Sequence, residues 1–159
     1  MADLKGKVGI VTGGGTGIGR ATAFAMAKAG ATLVIGNRDA AKGEEVVQLI
    51  RQGGGRAVFQ KTDVSKSADV KSLVERAVME FGRLDLAFNN AGTDGEQVPI
   101  HEQDIDKAGV LFDVNIKGVF FCMKIRDRTN AQDGWRGGCE YIFNLRVERL
   151  PRLEPLRRH

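Results

Sequence analysis

The chain has 159 residues, a formal net charge of +4 and a hydrophobic content of 42%, values typical of a single soluble globular domain. Residues 1–124 carry 16 basic and 15 acidic side chains, and residues 125–159 carry 8 and 5. A body so close to neutrality argues against a nucleic-acid-binding protein, and no apolar run approaches the roughly 20 residues of a membrane span.

Two cysteines and no secretory signal pattern suit a reducing compartment, so the sequence predicts a cytoplasmic protein without a disulfide framework. The two histidines stand at no ligand spacing, and we therefore expect no metal site. Neither a membrane nor a nucleic acid is expected as a partner.

Apolar runs and helical periodicities alternate along the first 124 residues. Short apolar runs predict strands at 7–12, 31–37, 56–61 and 84–89, each followed by apolar residues at helical spacing. The last of these helices has an apolar face that includes Ile105, Phe112, Ile116 and Phe120. The order β-α-β-α-β-α-β-α predicts an α/β fold, a Rossmann-like doubly wound parallel sheet with helices on both faces in three layers.

The pattern changes after Lys124. Residues 125–159 contain eight arginines, no lysine, two prolines and no sustained period. A strand at 141–145 is the only regular element that the sequence predicts there. We interpret 1–124 as a dinucleotide-binding domain and 125–159 as an irregular Arg-rich tail, which leaves the sheet incomplete on its C-terminal side.

A glycine-rich turn, "TGGGTGIG", joins the first predicted strand to the first helix. Small residues let the backbone approach a pyrophosphate, and the free N–H groups at the start of the helix attract its charge. The alternative is a tight turn without a ligand, but the position within a βαβ unit favours a nucleotide site. The residues assigned to the dinucleotide here are Thr12, Gly13, Gly15, Thr16, Gly17, Ile18 and Gly19.

This turn resembles the T-G-x-x-x-G-x-G motif of the short-chain dehydrogenases/reductases, and three later segments of residues 1–124 agree with that family. They are "TDVS" with Asp63, "NNAG" at 89–92 and "DVNIKG" with Asn115. The resemblance implies an NAD(P)(H)-dependent oxidoreductase that transfers a hydride between nicotinamide and a small alcohol or carbonyl substrate.

The resemblance also implies roles for these residues, beside plainer alternatives. Asp63, followed by Val64, would accept a hydrogen bond from the adenine amino group, or it caps a helix. Four residues lie where ligands of open α/β sheets bind, or they bond a sharp turn: Asn89, Asn90, Ala91 and Gly92. Asn115 would be catalytic, in a water-linked proton relay to a lysine; the alternative is an asparagine that faces solvent.

The end of the second strand bears on the choice of cofactor. An acidic residue there would accept from the ribose 2′-OH of NAD. This chain has Asn37 and then Arg38, whose guanidinium suits the 2′-phosphate of NADP, although Asp39 follows directly. The sequence therefore favours NADP(H), with NAD(H) as the alternative.

Other catalytic residues of the family have no counterpart here. The family uses a serine, and a tyrosine with a lysine four residues later, whereas this chain has no serine after Ser72 and no lysine after Lys124. Its only tyrosine, Tyr141, is followed four residues later by Leu145. We expect impaired catalysis; the alternatives are a non-catalytic dinucleotide-binding fragment and an interaction protein with a basic tail.

Two further expectations concern residues 125–159. The helices of the family's common dimer interface have no counterpart, so a family-type homo-oligomer is not expected. Removing one base from a permitted coding of residues 124–133 gives K-Y-E-I-E-Q-M-L-K, which continues a family helix. A frameshift with truncation is our hypothesis for the change, and sequencing the coding DNA would test it.

Overall fold

The computed structural model describes residues 3–132 and 140–143, with the side chains of residues 3–125. Its elements in chain order are β1 (Val8–Thr12), α1 (Gly17–Lys28), β2 (Thr32–Asn37), α2 (Ala40–Gln52), β3 (Arg56–Lys61), α3 (Ser67–Phe81), β4 (Leu86–Asn89), a short 3₁₀ helix (Ile100–Glu102), α4 (Ile105–Phe112), a π turn (Asp113–Lys117), α5 (Gly118–Gln132) and β5 (Glu140–Phe143). The four strands predicted within 1–124 and the helices between them are all present.

The five strands form one parallel sheet in the order β3-β2-β1-β4-β5. This confirms the predicted Rossmann-like fold. The chain passes from β3 at one edge back to β4 beside β1, so the strand order reverses at β1. Thr12 at the end of β1 lies opposite Gly36 on one side and Asn89 on the other, which aligns the carboxyl ends where open α/β sheets bind ligands.

The two faces of the sheet are packed differently. On the α1/α2 face, one buried apolar cluster runs across the sheet and includes Val11, Leu33, Ile35 and Val46, none of which exposes surface. The α3/α5 face carries two smaller clusters, one around Leu73 and the other around Val114. Both faces are covered, which is why the strands are nearly continuous apolar runs.

The apolar face predicted for the helix after β4 is largely exposed. Its residues Ile105, Phe112, Ile116 and Phe120 each expose more than half of their surface. The residues buried instead are Val114 and Cys122. Ile105 and Phe112 lie on α4, which buries no residue. After α4, the wider π turn interrupts the helical spacing from which the face was predicted.

The break predicted after Lys124 does not occur in α5, which continues to Gln132. No glycine or proline stands between Gly118 and Gly134, so nothing in the backbone ends the helix there. Ile125 is partly buried against both clusters of the α3/α5 face. Beyond it, β5 pairs with β4 and overlaps the strand expected at 141–145, while residues 133–139 and 144–159 of the proposed tail lie outside the described residues.

Candidate functional site

A cleft of about 430 Å³ opens at the carboxyl ends of the strands. It brings together most of the residues singled out in the sequence: Gly13, Thr16, Gly17, Ile18, Asn37, Arg38, Asp63, Val64, Asn89, Asn90, Ala91, Gly92 and Asn115. The remaining three, Thr12, Gly15 and Gly19, are buried and do not line it.

Five lining residues were not predicted: Thr62, Thr93, Asp94, Val114 and Val119. Most of them could have been predicted from their position in the sequence, next to the motifs that were assigned to the site. Thr93 and Asp94 directly follow "NNAG", and Val114 lies beside Asn115 in the π turn.

Thr12 joins the ends of β1 and β4. Its buried hydroxyl donates to the carbonyl of Phe88 at 3.4 Å and accepts from the backbone N–H groups of Asn90 and Ala91 at 3.0 and 3.1 Å. A hydroxyl has one donor and two acceptor positions, so these three bonds use all of them. Thr12 therefore fixes the loop after β4 and has no bond left for a ligand.

Asn90 connects the same loop to the glycine-rich turn. Its Nδ2 donates to the carbonyls of Thr12 and Gly13 at 3.1 and 3.2 Å. The start of α1 fits tightly against this arrangement, since a Cβ on Gly19 would lie 2.5 Å from Asn90 Nδ2 and closer still to the Gly13 carbonyl oxygen. The turn-bonding alternative thus describes the Asn90 side chain.

Asn89 differs from its neighbour. Its residue is only 5% exposed, and within the described part of the chain neither Nδ2 nor Oδ1 has a hydrogen-bond partner. The side chain lines the cleft and also a small cavity beside Val70 and Cys122. An unpartnered buried amide costs about 1–3 kcal/mol, and the described residues satisfy neither the donor nor the acceptor of Asn89.

Asp63 does not cap α3. The cap position is Lys66, without a side-chain cap bond, and the Asp63 carboxylate instead accepts from the backbone N–H and hydroxyl of Ser65 at 3.1 and 2.7 Å. Burial disfavours the charged form, but the Ser65 bonds and the charge of Arg38 outweigh it, and the pKa of Asp63 lies below its usual value. Asp63 is therefore a carboxylate at neutral pH, in the wall of the cleft.

The wall at the end of β2 is held by local bonds. Asn37 Nδ2 donates to the carbonyl of Asp39 at 2.9 Å. The Asp39 carboxylate caps α2 by accepting from the backbone N–H of Lys42 at 3.2 Å. These bonds set Asn37 and Arg38 side by side at the rim of the cleft.

Asn115 lies in the π turn and grips the loop after β4. Its Oδ1 accepts from the Thr93 N–H and its Nδ2 donates to the Thr93 carbonyl, both at 2.9 Å. The solvent-facing alternative is therefore wrong. The contact fixes the backbone of Thr93, which lines the cleft; a catalytic role for Asn115 remains a prediction.

In the ranges 3–132 and 140–143, no helix is long and apolar enough to cross a membrane. The same residues contain no group of three or more His, Cys, Asp or Glu side chains placed to hold a metal ion.

Comparison with known proteins gives consistent matches. The family model described as short chain dehydrogenase matches residues 7–130. The short chain dehydrogenase/reductase astE of Aspergillus oryzae is 40% identical over 147 residues, which is 92% of this chain and 56% of that protein. The 2,5-dichloro-2,5-cyclohexadiene-1,4-diol dehydrogenase of Sphingobium indicum is 38% identical over 86% of this chain and 54% of that protein. Similarity to the family thus continues past residue 124.

Solved structures agree. A short chain dehydrogenase/reductase from Burkholderia phymatum, in complex with NAD, superposes with a TM-score of 0.81 at 31% identity, over 90% of this chain and 50% of that one. A short-chain type dehydrogenase/reductase from Mycobacterium marinum gives 0.82 at 29% identity, over 89% and 56%. The chain spans about half the length of the relatives it matches.

Proposed function

The chain belongs to the short-chain dehydrogenase family, and on that premise we propose that its cleft binds a nicotinamide dinucleotide. The observation that carries this proposal is the start of α1. Its cap position, Thr16, makes no side-chain cap bond and no acidic residue stands in the first turn, whereas α2 is capped by the Asp39 carboxylate. The first N–H groups of α1 are thus left to an anion, and Thr16, Gly17 and Ile18 line the cleft.

The uncapped end of α1 suits a pyrophosphate, because free N–H groups and the positive end of the helix dipole favour negative charge. Arg38 and Asp63, which both line the cleft, would take the adenosine half, with Asp63 accepting from the adenine amino group. Asn89 and the loop held by Asn115 would meet the nicotinamide half. The complex of the Burkholderia phymatum relative with NAD supports a dinucleotide as the ligand.

Within this site we propose NADP(H) as the favoured cofactor. The β2 wall offers an amide at Asn37 where an acidic residue would select NAD, and Arg38 beside it offers a charged fork for a 2′-phosphate. Family membership requires one of the two dinucleotides without deciding between them.

The reaction we propose is hydride transfer between the cofactor and an alcohol or carbonyl of a small substrate. A bound nicotinamide supplies the hydride acceptor or donor, and the protein must move a proton to or from the substrate oxygen. Residues 1–159 contain no tyrosine with a lysine four residues later, and an unassisted tyrosine has a pKa of about 10, poorly matched to neutral pH. We therefore propose that this chain binds the cofactor but catalyses hydride transfer poorly.

Calorimetry with NADPH and NADH tests the site through a matched pair of variants. Gly17 has a left-handed φ of 52°, and a Cβ there would meet nothing within 4 Å. Asp and Asn both tolerate that conformation, so Gly17→Asp and Gly17→Asn differ only by a charge at the start of α1. We expect Gly17→Asp to bind at least about tenfold more weakly than Gly17→Asn, because a carboxylate would face the pyrophosphate.

Equal affinities for the two variants would contradict the pyrophosphate position. No binding by the unaltered chain would overturn the proposal. Assays with simple ketones and alcohols then address the proton transfer, and efficient turnover would contradict the expected impairment.

A further inference from the structure

Lys42 begins beside the wall of the cleft. A Cβ placed on Gly15 would lie 2.6 Å from Asn37 Nδ2 and 3.2 Å from Lys42 Cβ. The Asn37 amide and the start of the Lys42 side chain therefore both pack against the glycine-rich turn at Gly15. Asn37 lines the cleft, so the Lys42 stem leaves α2 directly behind its rim.

The ammonium of Lys42 is only loosely held. Its Nζ lies 3.5 Å from an oxygen of Asp39, and both side chains are about half exposed. Exposed ion pairs of this kind contribute little, and the four-carbon stem of a lysine lets its charge move between partners. A stronger anion at the rim would draw the ammonium from Asp39 at low cost.

Arg38 supplies a single positive charge, whereas a phosphate monoester carries close to two negative charges at neutral pH. Arg38 lines the cleft next to Asn37. The Lys42 stem starts beside Asn37 and is four carbons long, so its ammonium can swing from Asp39 toward an anion that contacts Asn37 and Arg38. The rim thus offers two cations of different chemistry, a planar fork and a mobile point charge.

We propose that Lys42 is a second specificity-determining residue, which holds a 2′-phosphate of the adenosine ribose together with Arg38. This inference rests on the proposed dinucleotide site and deepens it, since it assigns the recognition of the phosphate to two residues. On binding, the Lys42 ammonium leaves Asp39 for the phosphate, while the Asp39 carboxylate continues to cap α2.

The test uses adenosine 2′,5′-bisphosphate and AMP, which differ only by the 2′-phosphate. Lys42→Met keeps the stem beside Gly15 and removes the charge. Lys71→Met on α3 is the matched control, because Lys71 is also exposed and also forms a 3.5 Å ion pair, with Glu75. Affinities are measured by calorimetry on the full chain at one fixed salt concentration.

We expect Lys42→Met to weaken adenosine 2′,5′-bisphosphate about fivefold or more, since a charge-assisted contact is lost, and to leave AMP within about twofold. Lys71→Met should change neither. Equal affinity of the two variants for the bisphosphate would overturn the role of Lys42 but leave the proposed dinucleotide site standing. An equal loss of affinity for AMP and for the bisphosphate in Lys42→Met would also overturn it. Failure of the unaltered chain to bind AMP, NADH and NADPH would instead refute the proposed function, and this inference with it.

Discussion

The two faces of the sheet differ in how their buried side chains are packed. On the α1/α2 face, a single apolar cluster extends from Ala57 at the β3 edge to Phe88 in β4. On the α3/α5 face, the clusters around Leu73 and Val114 are separate, and Asn89 lies by the small cavity that Leu73 and Cys122 also line.

The difference follows from the alternation of β4. Leu86 and Phe88 join the α1/α2 cluster, and Ala87 and Asn89 line the cavity on the opposite side, as successive strand residues must. One face is thus a scaffold with one continuous apolar cluster. The other accepts a buried polar group next to the cleft, at a cost in stability.

The largest expected effect is on the scaffold face. Leu33 exposes no surface, and Leu33→Ala should lower the free energy of unfolding by about 2–5 kcal/mol, because it removes apolar contacts and leaves a cavity. Leu49→Ala is the control, since Leu49 on α2 is 38% exposed, and its loss should stay below about 1 kcal/mol. Urea denaturation measures both; similar losses would contradict the packing of this face.

The second prediction has the opposite sign. Asn89→Leu should raise the free energy of unfolding or leave it unchanged, because it replaces an unpartnered buried amide by an apolar side chain of similar size. Thr12→Val is its comparison. It leaves the partly buried N–H groups of Asn90 and Ala91 without their acceptor and should cost about 1–3 kcal/mol.

Thermal unfolding separates these variants. A loss for Asn89→Leu as large as that for Thr12→Val would mean that the Asn89 amide does stabilise the fold. If Asn89→Leu is more stable but binds the dinucleotide more weakly, the Asn89 amide contributes to ligand binding and not to the stability of the fold.

The smallest effect concerns Asp63, at the edge of the α3/α5 face. Its folded pKa lies below the ordinary value of 3.8, so its contribution to stability is present above about pH 4 and is lost as the pH falls through the folded pKa. Asp63→Asn should therefore differ most from the unaltered chain near neutrality and least near pH 3. Melting temperatures across this range measure it, and a difference independent of pH would contradict the assignment.

The sequence predicted the scaffold well, because buried parallel strands are continuous apolar runs and Gly30 and Gly82 end their helices in the left-handed conformation. It also predicted the place of the cleft, because ligands of open α/β sheets bind at the carboxyl ends of the strands. It did not distinguish Asn89 from Asn90, because Asn89 ends β4 and lines the small cavity, whereas Asn90 lies in the loop after β4 and bonds the glycine-rich turn. The adenine and nicotinamide contacts assigned to these residues remain predictions.

The region after β4 was harder to predict, since its geometry depends on the π turn. No residue type marks Asp113–Lys117 as anything but helix, and periodicity counted across it selects the exposed side chains. The irregular tail was predicted to begin at residue 125 because the helical spacing of apolar residues ends there. The helix α5 nevertheless continues to Gln132, because no glycine or proline interrupts it and Ile125 packs against the sheet.

The π turn also has a consequence for any comparison of this chain with longer relatives. Its hydrogen bonds span one residue more than those of an α-helix, so the segment behaves as an α-helix with a one-residue insertion. Deleting one residue between Asp113 and Lys117 would let the segment close into a regular α-helix, so that Cys122 and Ile125 keep their places against the sheet. A chain one residue shorter in this segment can therefore pack α5 in the same way.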